Sequence, residues 1–215
     1  MKNNLLIIGD SYSTFKDHIP EGYAVYYSSG SQAQFGISVV GDTWWQQVID
    51  ELDLNLALNN SWSGSTICYT GYNNSDCSKT SSFIFRLLQL KENGFFDKND
   101  INTVFVFGGT NDSWANSPLG QIKFDDFTKA DLYFVLPAIC YLVKTLKEIL
   151  PNADIYCLVN TDLKPEITDA FKQACDKYGV TCVSFDAIDK VHGHPTKKGM
   201  QDIKNTVVNT IMRGK

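Results

Sequence analysis

The chain has 215 residues, 43% of them hydrophobic and 20% charged, with a formal net charge of −5 at pH 7. A length of this kind buries a core that needs no staples, and the composition excludes disordered, collagen-like and coiled-coil classes. The acidic balance offers no basic stripe for nucleic acid and no polybasic anchor for a membrane surface.

The opening apolar run, Leu5 to Ile8, is far shorter than the roughly 20 residues of a spanning helix and too short for a secretory leader. Six cysteines (Cys68, Cys77, Cys140, Cys157, Cys175 and Cys182) are scattered without a CxxC or metal-finger spacing. Reduced thiols, a cytoplasmic location and the absence of metal or cofactor are the corresponding expectations. Cys68 and Cys77 flank one loop, and their pairing stays open.

Strand-like runs at residues 4–8, 55–58, 103–107, 154–159 and 180–185 alternate with amphipathic stretches, as in a parallel sheet wrapped by helices. Several of the runs are apolar throughout, which suits strands buried on both faces. Thr43-x-x-Gln46 resembles a capping box opening a helix over 44–52. Ser81 or Ser82 can cap a helix running to Asn93, which Gly94 stops.

The longest helix is expected over about 131–150, from Leu132, Val135, Leu136, Ile139, Leu142, Val143, Leu146 and Ile149. Pro137 should kink it. Pro165 and Gly179 bracket the next helix, and Thr196 caps a last one carrying Met200, Ile203, Val207, Val208 and Ile211 inward. No repeat or linker interrupts the pattern, so residues 1–215 read as one domain. Two long segments, 19–42 and 62–80, begin at carboxyl ends of strands, the edge where open α/β sheets bind ligands.

Four short motifs fall at those strand ends or just before the last helix. Gly9-Asp10-Ser11-Tyr12-Ser13 follows the first strand, and Ser11 would project a hydroxyl into the crevice near a helix N-terminus. Gly108-Gly109-Thr110-Asn111-Asp112 follows the third, and the Asn111 amide carries two donors suited to an oxyanion. Asn59-Asn60-Ser61-Trp62-Ser63-Gly64-Ser65 follows the second, and Gly64 would let its N–H approach a ligand closely. Asp189-Lys190-Val191-His192-Gly193-His194-Pro195 precedes the last helix and holds two of the three histidines. Each motif alone has a plainer reading: a helix cap for Ser11, an Asx turn for Asn111, a loop turn for Gly64, a surface side chain for the histidines.

Taken in the order Ser, Gly, Asn, His, the chain resembles the SGNH hydrolase superfamily, the GDSL-type esterases and lipases. Gly9-Asp10-Ser11-Tyr12-Ser13 matches its first block and Gly109-Thr110-Asn111-Asp112 its third, while Gly64 aligns best with the glycine of the second. The last block, Asp-x-x-His-Pro-x-x-x-Gly, is met only in part, by His194-Pro195 and Gly199, because position 191 is valine. Asp189 is three before His192 and five before His194. Either two residues are inserted, or the acid is lost or supplied elsewhere.

The resemblance implies a three-layer α/β/α sandwich with a five-stranded, mostly parallel, flavodoxin-like sheet. It also implies a metal-independent serine esterase in which Ser11 attacks, His194 is the base and Asp189 the orienting acid. Ser11, Gly64 and Asn111 would then form the oxyanion hole. The two loops, rich in Tyr, Trp and Asn, suit a small-molecule or carbohydrate ester, with a lipase or thioesterase as the alternative. A non-catalytic ligand-binding domain is the rival from another class. A flavin module lacks support, since no glycine-rich phosphate loop follows the first strand.

Overall fold

The computed structural model describes residues 3–30 and 33–214. Its centre is a sheet of five parallel strands, β1 (Asn4–Gly9), β2 (Asn55–Ser61), β3 (Ile101–Gly108), β4 (Asp154–Val159) and β5 (Thr181–Ser184), in the order β2-β1-β3-β4-β5. The chain first steps from β1 to β2 on one side and then to β3 on the other. The crevice between the ends of β1 and β3 is therefore the topological switch point, where such sheets hold ligands. Residues 9–11 leave one side of it and residues 108–111 the other.

Alternation along β1 divides the core. Leu6 and Ile8 join Val104, Val106, Phe83, Ile139 and Phe171 on one face, under α2 (Phe83–Glu92), α5 (Val135–Ile149) and α6 (Pro165–Tyr178). Leu5 and Ile7 join Phe105, Phe107, Trp44, Val48, Met200 and Val207 on the other, under α1 (Trp44–Leu52) and α7 (Lys197–Arg213). Both faces are covered, which accounts for the unbroken apolar run. Among the described residues no helix is long and apolar enough to cross a membrane.

Helix ends follow the capping chemistry of the sequence. The Thr43 side chain accepts from Gln46 N, Ser82 from Phe85 N and Thr196 from Gly199 N, and Gly179 closes α6 in the left-handed region. The helix expected over 131–150 is shorter. A 3-10 turn at Asp131–Tyr133 precedes it, and Pro137 is its third residue. A first-turn N–H has no partner within its helix, so proline there costs no hydrogen bond and need not kink it. The short helices α3 (Phe95–Lys98) and α4 (Thr110–Trp114), and the hairpin of β6 (Lys190–Val191) and β7 (His194–Pro195), lie outside the expected elements. All six cysteines are free thiols, Cys68 and Cys77 included.

The exit of β1 is packed to its limit. A Cβ added at Gly9 would lie 2.6 Å from Ser61 Oγ and 2.7 Å from Ser13 Oγ. Gly9→Ala should therefore cost about 1–3 kcal/mol of stability by overpacking, read as a lower urea midpoint at unchanged slope. An unchanged midpoint would show that this exit can open.

Candidate active site

Ser11 leaves β1 on a single 3-10 turn, Ser11–Ser13, rather than at the start of a longer helix. Three contacts fix this turn: Tyr12 N donates to Asp10 Oδ1 at 3.0 Å, Asn59 Nδ2 to Ser13 O at 2.9 Å, and Trp44 Nε1 to Ser13 Oγ at 3.3 Å. The Ser11 hydroxyl meets His194 Nε2 at 3.1 Å across 183 positions of sequence. A hydroxyl and an imidazole nitrogen thus stand within direct proton-transfer reach.

His194 arrives on the β6–β7 hairpin, whose two turn residues, His192 (φ 48°) and Gly193 (φ 78°), both have positive φ. That is the backbone of a two-residue primed turn. His192 is therefore the exposed apex of a hairpin, and the two residues that upset the motif's spacing are the turn itself. The same geometry gives the other ring nitrogen a backbone partner. His194 Nδ1 faces the His192 carbonyl oxygen at 3.3 Å. A carbonyl only accepts, so Nδ1 must carry the proton and Nε2 is left free to accept from Ser11.

Asp189, expected as the orienting acid, is turned elsewhere. Its exposed carboxylate accepts from Thr196 Oγ1 at the start of α7, and its N–H donates to Asp202 Oδ2 at 3.2 Å. The hairpin lies between it and the imidazole in sequence, and the contact at Nδ1 is already made.

Aromatic side chains hold the imidazole instead. Tyr26 stacks on it with ring centroids 3.7 Å apart and planes 7° from parallel, and Trp114, Tyr12 and Phe35 approach at 5.4, 5.6 and 6.5 Å. Two tyrosine hydroxyls grip the backbone on either side: Tyr12 donates to Gly193 O, and Tyr27 to Pro195 O at 2.8 Å. Tyr26, Tyr27 and Phe35 all come from the segment 19–42, which gives that insertion a definite job. Burial pulls the His194 pKa below its ordinary value, the His192 carbonyl opposes this, and Lys190 adds to the lowering.

Asn111 lies in α4, buried, with its amide oriented from both ends. Tyr72 OH donates to Oδ1 at 2.9 Å, while Nδ2 points to Ser65 O at 3.0 Å and Asp10 Oδ2 at 3.4 Å. Neighbouring Asp112 accepts from Ile67 N and Cys68 N at 2.9 to 3.1 Å, pinning the segment 62–80 against the exit of β3. Gly64 sits exposed in the turn after β2 with φ of 79°. That turn is tied to the β1 exit by Trp62 N donating to Gly9 O at 3.1 Å. Burial pushes the Asp10 carboxyl up to about 7, with Asp112 adding to the rise and the Tyr12 N–H and Arg86 opposing it.

The four sequence-predicted positions Ser11, Gly64, Asn111 and His194 thus converge on one sheet edge, and Asp189 does not join them. Sequence reasoning missed Tyr26, Tyr72 and the His192 carbonyl. The broken Asp-to-His spacing was the one signal for the last of these.

A model of the GDSL-like lipase/acylhydrolase family matches residues 3–211. The chain belongs to this family. It is accordingly a hydrolase acting on ester bonds. It is 38% identical to a protein of Bacteroides ovatus described as a GDSL-like lipase, with all of both chains covered and a TM-score of 0.91. A second, from Bacteroides uniformis and described in the same words, is 40% identical over 99% of this chain and 96% of that one, with a TM-score of 0.90. A family two carbohydrate esterase of Clostridium thermocellum shares the fold at 17% identity, covering 99% of this chain and 64% of that one, with a TM-score of 0.66. No curated protein matches the chain.

Removing a triad aspartate typically lowers turnover about 10⁴-fold. With a carbonyl at Nδ1, Asp189→Asn should keep turnover within a few-fold of wild type. The pH–rate profile gives a second reading. The base works unprotonated, so a lowered pKa extends activity toward acid, and the acid limb of kcat/KM should fall below the ordinary histidine value of about 6.5. A large loss in Asp189→Asn, or an acid limb above 7, would restore a carboxylate to the site.

Proposed function

We propose that the protein is a metal-independent serine esterase that works through a Ser11–His194 dyad and removes small acyl groups from carbohydrate esters. The observation carrying the mechanism is the 3.1 Å contact between Ser11 Oγ and His194 Nε2, on a ring whose other nitrogen faces a carbonyl. In the first half-reaction Ser11 Oγ attacks the ester carbonyl carbon, and its proton passes to Nε2. The N–H groups of Ser11 and Gly64 stabilise the oxyanion together with the Asn111 amide, which exchanges its long 3.4 Å contact to Asp10 Oδ2 for the substrate oxygen while keeping Ser65 O. His194 returns the proton to the leaving alcohol, and water, deprotonated by the same imidazole, hydrolyses the acyl-enzyme. Among the described residues no carboxylate is bonded to the imidazolium formed midway; the face of Tyr26, stacked on the ring, supplies part of that stabilisation, about 0.5–2 kcal/mol for a cation over an aromatic.

The substrate class rests on the rim. Trp114 and Tyr72 are exposed beside His194 and Asn111, and Tyr23 packs against Trp62 with ring centroids 4.3 Å apart and planes tilted by 38°, next to Gly64. Flat aromatic faces around a polar centre suit the apolar faces of sugar rings better than a long acyl chain. Carbohydrate esterases on the same fold agree with this reading. A second reading, a lipase, draws on the description given to the Bacteroides relatives.

The experiment is a fluorophosphonate adduct mapped by mass spectrometry, followed by an ester series. The adduct should fall on Ser11, and Ser11→Ala should lose esterase activity. Acetylated xylo- or cello-oligosaccharides should be cleaved with higher kcat/KM than p-nitrophenyl esters of eight or more carbons. Activity in Ser11→Ala would end the mechanism, and preference for the long acyl esters would favour the lipase.

A further inference from the structure

One buried cation has no part in the chemistry described so far. Arg86 is the fourth residue of α2 and is wholly buried, on a helix that otherwise turns Phe83, Ile84 and Leu87 into the core. Its guanidinium donates in several directions at once. Nε reaches Ser81 O at 2.8 Å; Nη1 reaches Asn60 O, and Asn60 Oδ1 at 2.7 Å; Nη2 reaches Gly9 O and Ser65 Oγ, both at 3.1 Å. The Phe83 ring lies under it at 4.7 Å. Every one of these acceptors is neutral, and the Asp10 carboxylate acts on the charge only through space.

A buried charge without a directly bonded counter-charge is costly, and stability alone would be served as well by an apolar side chain of similar volume. The acceptors point to another use. Gly9 is the last residue of β1, two before Ser11. Asn60 closes β2. Ser65 follows Gly64, and its carbonyl is the group on which Asn111 Nδ2 rests at 3.0 Å. The three groups assigned to the oxyanion come from three separate segments. Arg86 bonds directly to two of those segments, at Gly9 and at Asn60 and Ser65, and reaches Asn111 through Ser65.

We propose that Arg86 is the positioning residue of the oxyanion hole: it clamps the β1 exit to the turn after β2 and places a positive charge behind the donors that meet the developing anion. The inference rests on the roles given above to Ser11, Gly64 and Asn111. A lysine could not do the same, because an ammonium is a point charge whereas the guanidinium fork spans carbonyls on separate strands. A displacement of about 1 Å in such donors is worth about 10²-fold in rate.

The test compares wild type with Arg86→Lys, with rates normalised to Ser11 titrated by a fluorophosphonate. Arg86→Lys should lower kcat about 10²-fold while KM and the His194-governed acid limb stay in place. Affinity for an arylboronic acid should fall by a similar factor. In that adduct a B–O bond forms to Ser11 Oγ, the serine proton passes to His194, and the boron becomes a tetrahedral anion like the transition state. A merely structural arginine would lower thermal stability and the titratable fraction yet leave kcat per site and boronate affinity at wild-type values; that result overturns the clamp alone. If Arg86→Lys does not fold, Ser65→Ala removes one acceptor of the fork, with the hydroxyl's own bond to Trp62 O, and should show the same split at several-fold magnitude, whereas an unchanged kcat there also overturns it. Absence of a Ser11 adduct in wild type would instead remove the reading beneath both.

Discussion

In the proposed dyad the imidazole takes a proton from serine, and a group that accepts at its other nitrogen fixes the tautomer this needs. Here that partner is the backbone oxygen of His192, two residues back along the chain. A carboxylate fixes the tautomer and also stabilises the imidazolium by charge; a carbonyl does the first fully and the second weakly. Much of the architecture around His194 makes up the difference. The tight hairpin turn places the carbonyl, two tyrosine hydroxyls hold the flanking backbone, and the Tyr26 face covers the ring. A rigid base needs less reorganisation when the proton moves, which is how geometry can stand in for a missing charge.

Beneath Ser11 and His194 lies a buried polar layer that ordinary core packing would not produce. Asp10, Asn60, Arg86, Asn111 and Asp112 are all buried at the carboxyl edge of the sheet, and burial raises both carboxyls and lowers the guanidinium to about 10. Asp112 offsets its desolvation by accepting backbone N–H groups from Ile67 and Cys68, so its carboxylate stitches a loop to the end of β3. Arg86 does likewise with carbonyls. Charges used in this way organise irregular backbone that has no ladder of its own. The apolar faces of the sheet supply the stability that lets such a layer exist.

Much of this was legible in the sequence, and the remainder failed for definable reasons. Strand 154–159 and helices 44–52 and 165–178 could be bounded because their caps and breakers are local. Ser11, Gly64, Asn111 and His194 stand out in the sequence because each follows a strand or precedes a capped helix. Asp189 lies away from His194 because spacing in a motif assumes a fixed backbone path, and a two-residue turn carries His194 beyond that path. Tyr26, Tyr72 and Arg86 carry no local signature. An aromatic in a loop and an arginine in a helix look ordinary until the fold brings the Tyr26 face to a histidine, the Tyr72 hydroxyl to Asn111, and the guanidinium to three carbonyls. The expected kink at Pro137 failed because the start of α5 depends on the turn packed before it.

The central claim, that a carbonyl rather than a carboxylate orients the base, is a claim about one proton. Nitrogen-15 NMR of histidine-labelled protein reads it directly. His194 should be neutral at pH 7 with the proton on Nδ1, and its ring should titrate below the ordinary histidine value. A proton on Nε2 at neutral pH, or a titration above 7 with the downfield Nδ1 proton of a carboxylate-bound imidazolium, would contradict the account.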